Sequence, residues 1–129
     1  MLERFHVKEK DLVSIDADKL RNTTEKILSA QGLSKIDSIQ AADVLISADL
    51  RGVDTHGVSN MLRAYIGGYS NGNINPKPNW KIVRETASCA TIDCDAGLGV
   101  VIAPKAMDIA IEKAKKTGVG LVSMGNGRH

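Results

Sequence analysis

Aromatic side chains are scarce in this sequence: one Trp, two Tyr and one Phe among 129 residues. Since 43% of the residues are nonetheless hydrophobic, the core has to be aliphatic and alanine-rich, and the composition is that of a globular protein, not a disordered one. No apolar run approaches the roughly 18 residues that a membrane-spanning helix needs. The start, Met1-Leu2-Glu3-Arg4-Phe5-His6, lacks the apolar stretch of a signal peptide. A cytoplasmic protein with no membrane partner is expected. Basic residues do not cluster, and the formal charge is only +2, so nothing argues for a nucleic-acid partner. Cysteine is limited to Cys89 and Cys94, which one predicted strand places on opposite faces; reduced thiols are expected, not a disulfide. There is no Walker loop, nucleophile elbow or paired set of metal ligands, and His6, His56 and His129 share no helical ligand spacing. No metal is expected.

What is present divides into a helical first part and a strand-containing second part. Residues 1–13 are charged and aperiodic, a tail or a short docking arm. A cap at residues 14–16 opens a first helix that carries Leu20, Thr24, Ile27, Leu28 and Gln31 and ends at Gly32. Ser34-Lys35-Ile36-Asp37 resembles a capping box with Asp in place of Glu or Gln. The second helix that follows has Ile39, Ala42, Leu45, Ile46 and Leu50 on its apolar face, and Gly52 ends it. A third helix is predicted to start after Asp54 or Thr55, both suited to an N-cap. It carries Val58, Met61, Leu62, Tyr65 and Ile66 on one side and frays at Gly67-Gly68. Residues 70–79 are turn chemistry throughout. They set the expected boundary between residues 1–75, an N-terminal helical subdomain, and residues 76–129, the start of an α/β domain.

Beyond that boundary, residues 80–85 and 88–94 read as a hairpin. Pro104 suits the first turn of a fourth helix, with Met107, Ala110, Ile111 and Ala114 as its buried stripe and Lys113, Lys115 and Lys116 complementing its C-terminal dipole. Residues 119–124 read as a buried strand, followed by the loop Gly125-Asn126-Gly127-Arg128-His129. The fold class is therefore α/β (α+β): three helices, then β-β-α-β. A chain that stops on a loop just after a strand is expected to be an open fold cut short.

Two places carry candidate chemistry. The turn around His56 gathers Arg51, Asp54, Thr55, Asn60 and Arg63 beside a predicted helix start. Such a start offers unbonded N–H groups and partial positive charge to an anion, and arginine forks bond both oxygens of a carboxylate. The alternative is a histidine that merely packs at a helix start, with both arginines solvated. At the other end, His129 lies in a glycine-rich loop after a strand, where α/β proteins place functional groups; any terminal loop residue fits that description equally. Gly97-Leu98-Gly99 lies between a strand and a helix but lacks the third glycine of a dinucleotide fingerprint, Ile102 taking its place. Turn glycines are expected there.

The stretch from Ala48 to Val58, Ala48-Asp49-Leu50-Arg51-Gly52-Val53-Asp54-Thr55-His56-Gly57-Val58, resembles the signature of the malate/L-lactate dehydrogenase family, the non-Rossmann family that includes sulfolactate and ureidoglycolate dehydrogenases. Gly72-Asn73-Ile74-Asn75-Pro76-Lys77-Pro78, Asp95-Ala96-Gly97-Leu98-Gly99 and the stretch from Ala106 to Ala114 fit the same family, in order, and Asn126-Gly127-Arg128-His129 resembles its Asn-x-x-His. The resemblance implies hydride transfer between NAD or NADP and a 2-hydroxy/2-oxo acid such as malate or lactate, on a non-Rossmann mixed α/β cofactor domain, in a homodimer. It implies that His129 is the catalytic proton donor and acceptor and that His56 lines the substrate site. The family's carboxylate-binding arginine falls at Asn60 in this chain; Arg63, within a turn of it, is the candidate replacement. Cofactor-binding residues are expected mainly beyond residue 129, so the chain alone is expected to be inactive. The competing reading is a non-catalytic helical dimerisation module, paired through Leu20/Ile27/Leu28 and Ile39/Leu45/Ile46.

Overall fold

The computed structural model describes residues 8–11 and 13–129. His6 and most of the arm expected over residues 1–13 lie outside the described residues. The chain falls into two compact units, Met1–Ile66 and Gly67–His129.

The first unit is built on a helix pair, α1 (Ala17–Ala30) and α2 (Lys35–Leu50). Asp16 caps α1 by accepting from Lys19 N–H at 2.9 Å, and Ser34 caps α2 by accepting from Asp37 N–H at 3.1 Å. The Asp37 carboxylate takes the Ser34 hydroxyl at 2.8 Å. One arm of the expected capping box is thus in place, and the shorter acid meets the Ser34 hydroxyl. The helices pack on each other through Thr24 and Leu28 of α1 and Ser38, Ala41, Ala42, Leu45 and Ile46 of α2. Small residues let the backbones approach, and Ser29 donates to Ser38 Oγ at 3.0 Å. The stripe on α2 is rotated from the expected one: Ile39 and Leu50 are exposed. Leu28, Leu45 and Ile46, offered by the sequence to a partner chain, are consumed within this one.

The second unit carries a three-stranded mixed sheet in the order β1 (Lys81–Glu85), β2 (Cys89–Asp93), β3 (Leu121–Gly125). β1 and β2 form the expected antiparallel hairpin, with a bulge between Ile82 and Arg84. β3 runs parallel to β2, reached through α4 (Gly99–Thr117), which packs on both. With the helix pair this is the α/β class expected. Ala90, Ile92 and Cys94 alternate inward, and Val101, Ile102 and Ala106 of α4 are buried with them. Both cysteines are free thiols. Burial, and then the charge of Asp93, push the Cys94 thiol above its ordinary pKa.

Three expectations are corrected here. α4 begins at Gly99, five residues before Pro104, so Pro104 lies inside the helix and not in its first turn. Its buried stripe is Val101, Ile102, Ala106 and Lys113, while Met107 and Ile111 are exposed. β3 is an edge strand and largely exposed, not buried. The rotated stripe turns Lys113 inward: its ammonium donates to Glu85 Oε1 at 2.8 Å and to the Thr86 carbonyl at 2.7 Å, tying α4 to the β1–β2 turn. The bond from the buried ammonium to the Thr86 carbonyl is a hydrogen bond to a charged group, about 1.5–3 kcal/mol net, and the exposed Glu85 carboxylate adds little to it. Lys113→Met keeps the apolar stem and removes both bonds. In urea unfolding it should lower stability by about 1–3 kcal/mol, whereas Lys116→Met, on the exposed side, should stay within about 0.5 kcal/mol. Equal effects would show that the buried ammonium is not an anchor.

Candidate functional site

The His56 turn begins where α2 ends. Gly52 adopts φ +69, Val53 N–H bonds the Ala48 carbonyl and Gly52 N–H the Asp49 carbonyl, each at 2.9 Å. This is a Schellman end, which needs a residue free to enter the left-handed region. Asp54–His56 then form a single 3-10 turn, with His56 N–H on the Val53 carbonyl at 2.9 Å. At Gly57 the backbone is extended, and Val58–Leu62 form a π turn that runs into α3 (Arg63–Ser70). The continuous third helix expected from Asp54 or Thr55 is therefore broken into three kinds of turn, and neither residue caps it by its side chain. α3 also continues through Gly67-Gly68 to Ser70 instead of fraying there.

The residue that caps the π turn is Asp49, in the last turn of α2: its Oδ2 accepts from Val58 N–H at 2.9 Å. Sequence reasoning missed Asp49. The available signal was its position, because an acid at a helix C-terminus opposes the macrodipole and calls for a partner elsewhere. The bond also revises the picture of an open anion cradle, since a carboxylate of the chain itself already takes the first N–H of the helix start.

Around the ring, Thr55 Oγ1 and His56 Nδ1 share a hydrogen bond at 2.9 Å, and Asn60 Nδ2 donates to the Thr55 carbonyl at 2.7 Å. His56, Asn60 and Arg63 are all exposed, as is Arg51 at the C-cap of α2. The structure thus brings His56 and Asn60 onto one turn, with Arg63 opening the next helix. A groove of about 620 Å³ runs beside it, lined by Asp43, Val44, Ser47, Ala48, Arg51 and Val53.

His129 belongs to the second unit, on the exposed loop after β3. The loop is held by a continuation of the parallel ladder. Cys94 N–H bonds the Gly125 carbonyl and Ala96 N–H the Asn126 carbonyl, each at 2.9 Å. Arg128 N–H bonds the Gly97 carbonyl at 2.9 Å, and Gly99 N–H the Arg128 carbonyl at 2.7 Å. Arg128 Nε also donates to the Asn73 carbonyl at 2.9 Å. Asp95, Ala96 and Asn126 all take positive φ, of 49, 56 and 54; backbone held this way is costly and collects at functional places. The turn expected over residues 95–99 is confined to Asp95 and Ala96: Leu98 pairs with Arg128 in a parallel bridge and Gly99 opens α4. The segment from Gly97 to Gly99 does not fit a dinucleotide's pyrophosphate, because the Gly99 N–H that would face a phosphate is bonded to Arg128. Among the described residues no three His, Cys, Asp or Glu side chains gather as metal ligands would, and no helix is long and apolar enough to cross a membrane.

Asp93 pins the loop from below. The Asp95 N–H, at 3.0 Å, and then the Asn126 amide, at 3.1 Å, both donate to its Oδ1 and hold its carboxyl below the ordinary aspartate range.

The helix pair and the small mixed sheet place the chain among α/β proteins. The chain belongs to the malate/L-lactate dehydrogenase family, which it matches over residues 15–129. It is 43% identical over 129 residues to a malate dehydrogenase of Pyrococcus abyssi, covering 100% of this chain and 35% of that protein. It is 46% identical over 103 residues to an L-sulfolactate dehydrogenase of Methanocaldococcus jannaschii, covering 80% of this chain and 30% of that one. The structure of a malate dehydrogenase from Pyrococcus horikoshii superposes with a TM-score of 0.89 at 39% identity, over 96% of this chain and 35% of that chain. The chain spans about a third of the length of the curated relatives it matches.

Because the folded-state pKa of Asp93 is depressed, its bonds stabilise the loop at neutral pH, and that stabilisation is lost as pH falls below about 4. Asn126→Ala should raise the Asp93 pKa without restoring it fully, since the Asp95 N–H remains. A carboxylate NMR titration reads this directly; an unmoved value would mean that Asn126 does not hold the loop through Asp93.

Proposed function

We propose that this chain supplies the substrate-binding turn and the proton-transfer residue of an NAD- or NADP-dependent 2-hydroxyacid dehydrogenase that interconverts a 2-hydroxy acid, such as malate or lactate, with its 2-oxo acid. The observation that carries this reading is the family match across residues 15–129, which ends on the loop bearing His129. His129 is the proton donor when the oxo acid is reduced and the acceptor when the hydroxy acid is oxidised. His56, Asn60 and Arg63 bind the substrate, with Arg63 supplying the cationic partner of its carboxylate where Asn60 has an amide. Nicotinamide supplies or takes the hydride. The segment from Gly97 to Gly99 offers it no cradle, since Gly99 N–H is bonded to the Arg128 carbonyl, so no step is assigned to its contacts. The assembly that accompanies this reading is a homodimer.

The proposal is tested in a chimera that joins this chain to the part of the Pyrococcus horikoshii malate dehydrogenase lying beyond the matched third. With NADH or NADPH the chimera should reduce oxaloacetate, pyruvate or sulfopyruvate. His129→Ala should lower kcat by about a thousandfold, within the usual reach of general acid–base catalysis. Arg63→Ala should mainly raise KM for the oxo acid, by about tenfold or more, as loss of a charge-assisted carboxylate contact does. A chimera that folds and binds nicotinamide but reduces none of the three acids would overturn the reading.

A further inference from the structure

We propose that Asp49 is the positioning residue of the His56 turn. The proposal rests on the reading of that turn as the substrate-binding one. It goes further in naming the group that fixes the turn's shape and in removing the Val58 N–H from the groups that hold the substrate's carboxylate.

Four features converge on this carboxylate. Its position at the end of α2 opposes the macrodipole there, so α2 itself gains nothing from it. Its bond to Val58 N–H spans nine residues and closes the whole turn, whereas a local cap would come from Asp54 or Thr55. Thr55 is thereby released to bond the His56 ring, and its carbonyl to take the Asn60 amide. Gly57 completes the case. Its φ is −87, open to any residue, so glycine is not required there by backbone conformation. It is required by space: a Cβ on residue 57 would lie 1.5 Å from Asp49 Oδ1 and 2.3 Å from its Cγ. The carboxylate is seated directly against the peptide that follows His56. The π turn that departs from this bond is an irregularity of the sort found at functional sites, and Asp49 is what starts it.

With Val58 N–H already engaged by an anion of the chain, a second carboxylate is repelled from the same position. The substrate's carboxylate is then left to side chains of the turn. This is where Arg63 matters: in a chain that has Asn60 in place of the family's arginine, the first N–H of the helix start is already taken.

The test uses the 129-residue chain. Asp49→Ala should lower hydrogen-exchange protection of the Val58 amide by about tenfold, the loss expected for a hydrogen bond to a charged group, and should shift the His56 ring resonances. Asp49→Asn retains an acceptor oxygen and should stay within about threefold of the parent. Gly57→Ala should reproduce the Asp49→Ala shifts by displacing the carboxylate. Combining Asp49→Ala with Gly57→Ala should be no worse than either alone, because the added methyl then occupies vacated space. Additive effects of the two substitutions, or a Val58 amide indifferent to Asp49→Ala, would overturn the proposal, and the Gly57→Ala and Asp49→Asn arms decide it even where Asp49→Ala does not fold. Oxamate, a 2-oxo acid isostere, separates the two levels. In the chimera with NADH bound, oxamate-induced shifts at His56 that weaken in Asp49→Ala support both; no shift in the parent chimera, with the exchange coupling intact, removes the substrate reading and leaves the positioning role standing.

Discussion

The second unit depends on one pairing, the parallel ladder between β2 and β3 and its continuation past the strands. Parallel strands need a crossover, and α4 provides it, covering Ala90, Ile92 and Cys94 on the way. The ladder does not stop at Asp93 and Gly125. It carries on through Cys94, Ala96, Gly97 and Gly99 to the carbonyls and amides of residues 125–128. Asp95, Ala96 and Asn126 accept left-handed backbone to keep it in register. The result is that a loop exposed over residues 126–129 is nevertheless held at several backbone points, and it carries His129.

The His56 turn is held by a different means. Here the backbone leaves one helix by a Schellman end, makes one 3-10 turn and starts again as a π turn, and a side chain bridges the break. A carboxylate from the preceding helix replaces the local caps and sets the spacing around Gly57. An acid helps to hold each place: Asp49 accepts from the Val58 backbone N–H, and Asp93 from the side-chain amide of Asn126, three residues before His129.

Much of the fold was legible because its signals are local. Asp16 and Ser34 cap the helices that their positions announce, Gly32 and Gly52 end them, and the hairpin follows from two short β-branched runs. What was misjudged depends on tertiary context. Pro104 suggested a helix start, yet the helix begins at Gly99, where Arg128 takes the first N–H; the phase of the buried stripe then moves, and Lys113 goes inward to Glu85. Residues 119–124 read as a buried strand because they are apolar, but burial depends on what lies on each side, which periodicity does not encode. At the candidate site, His56, Asn60, Arg63 and His129 could be picked out by type and motif. The place of Asp49 at a helix C-terminus signalled only that it wants a partner; which one was not legible, because that partner lies nine residues away across a turn whose geometry no propensity describes.

The central claim is that the imidazole of His129 moves the proton in a 2-hydroxyacid dehydrogenase, and chemical rescue tests it most directly. In the chimera, free imidazole should restore turnover to the His129→Ala variant in proportion to its concentration and should do nothing for the parent or for His56→Ala. Full activity of His129→Ala without imidazole, or rescue of His56→Ala in its place, would contradict the account.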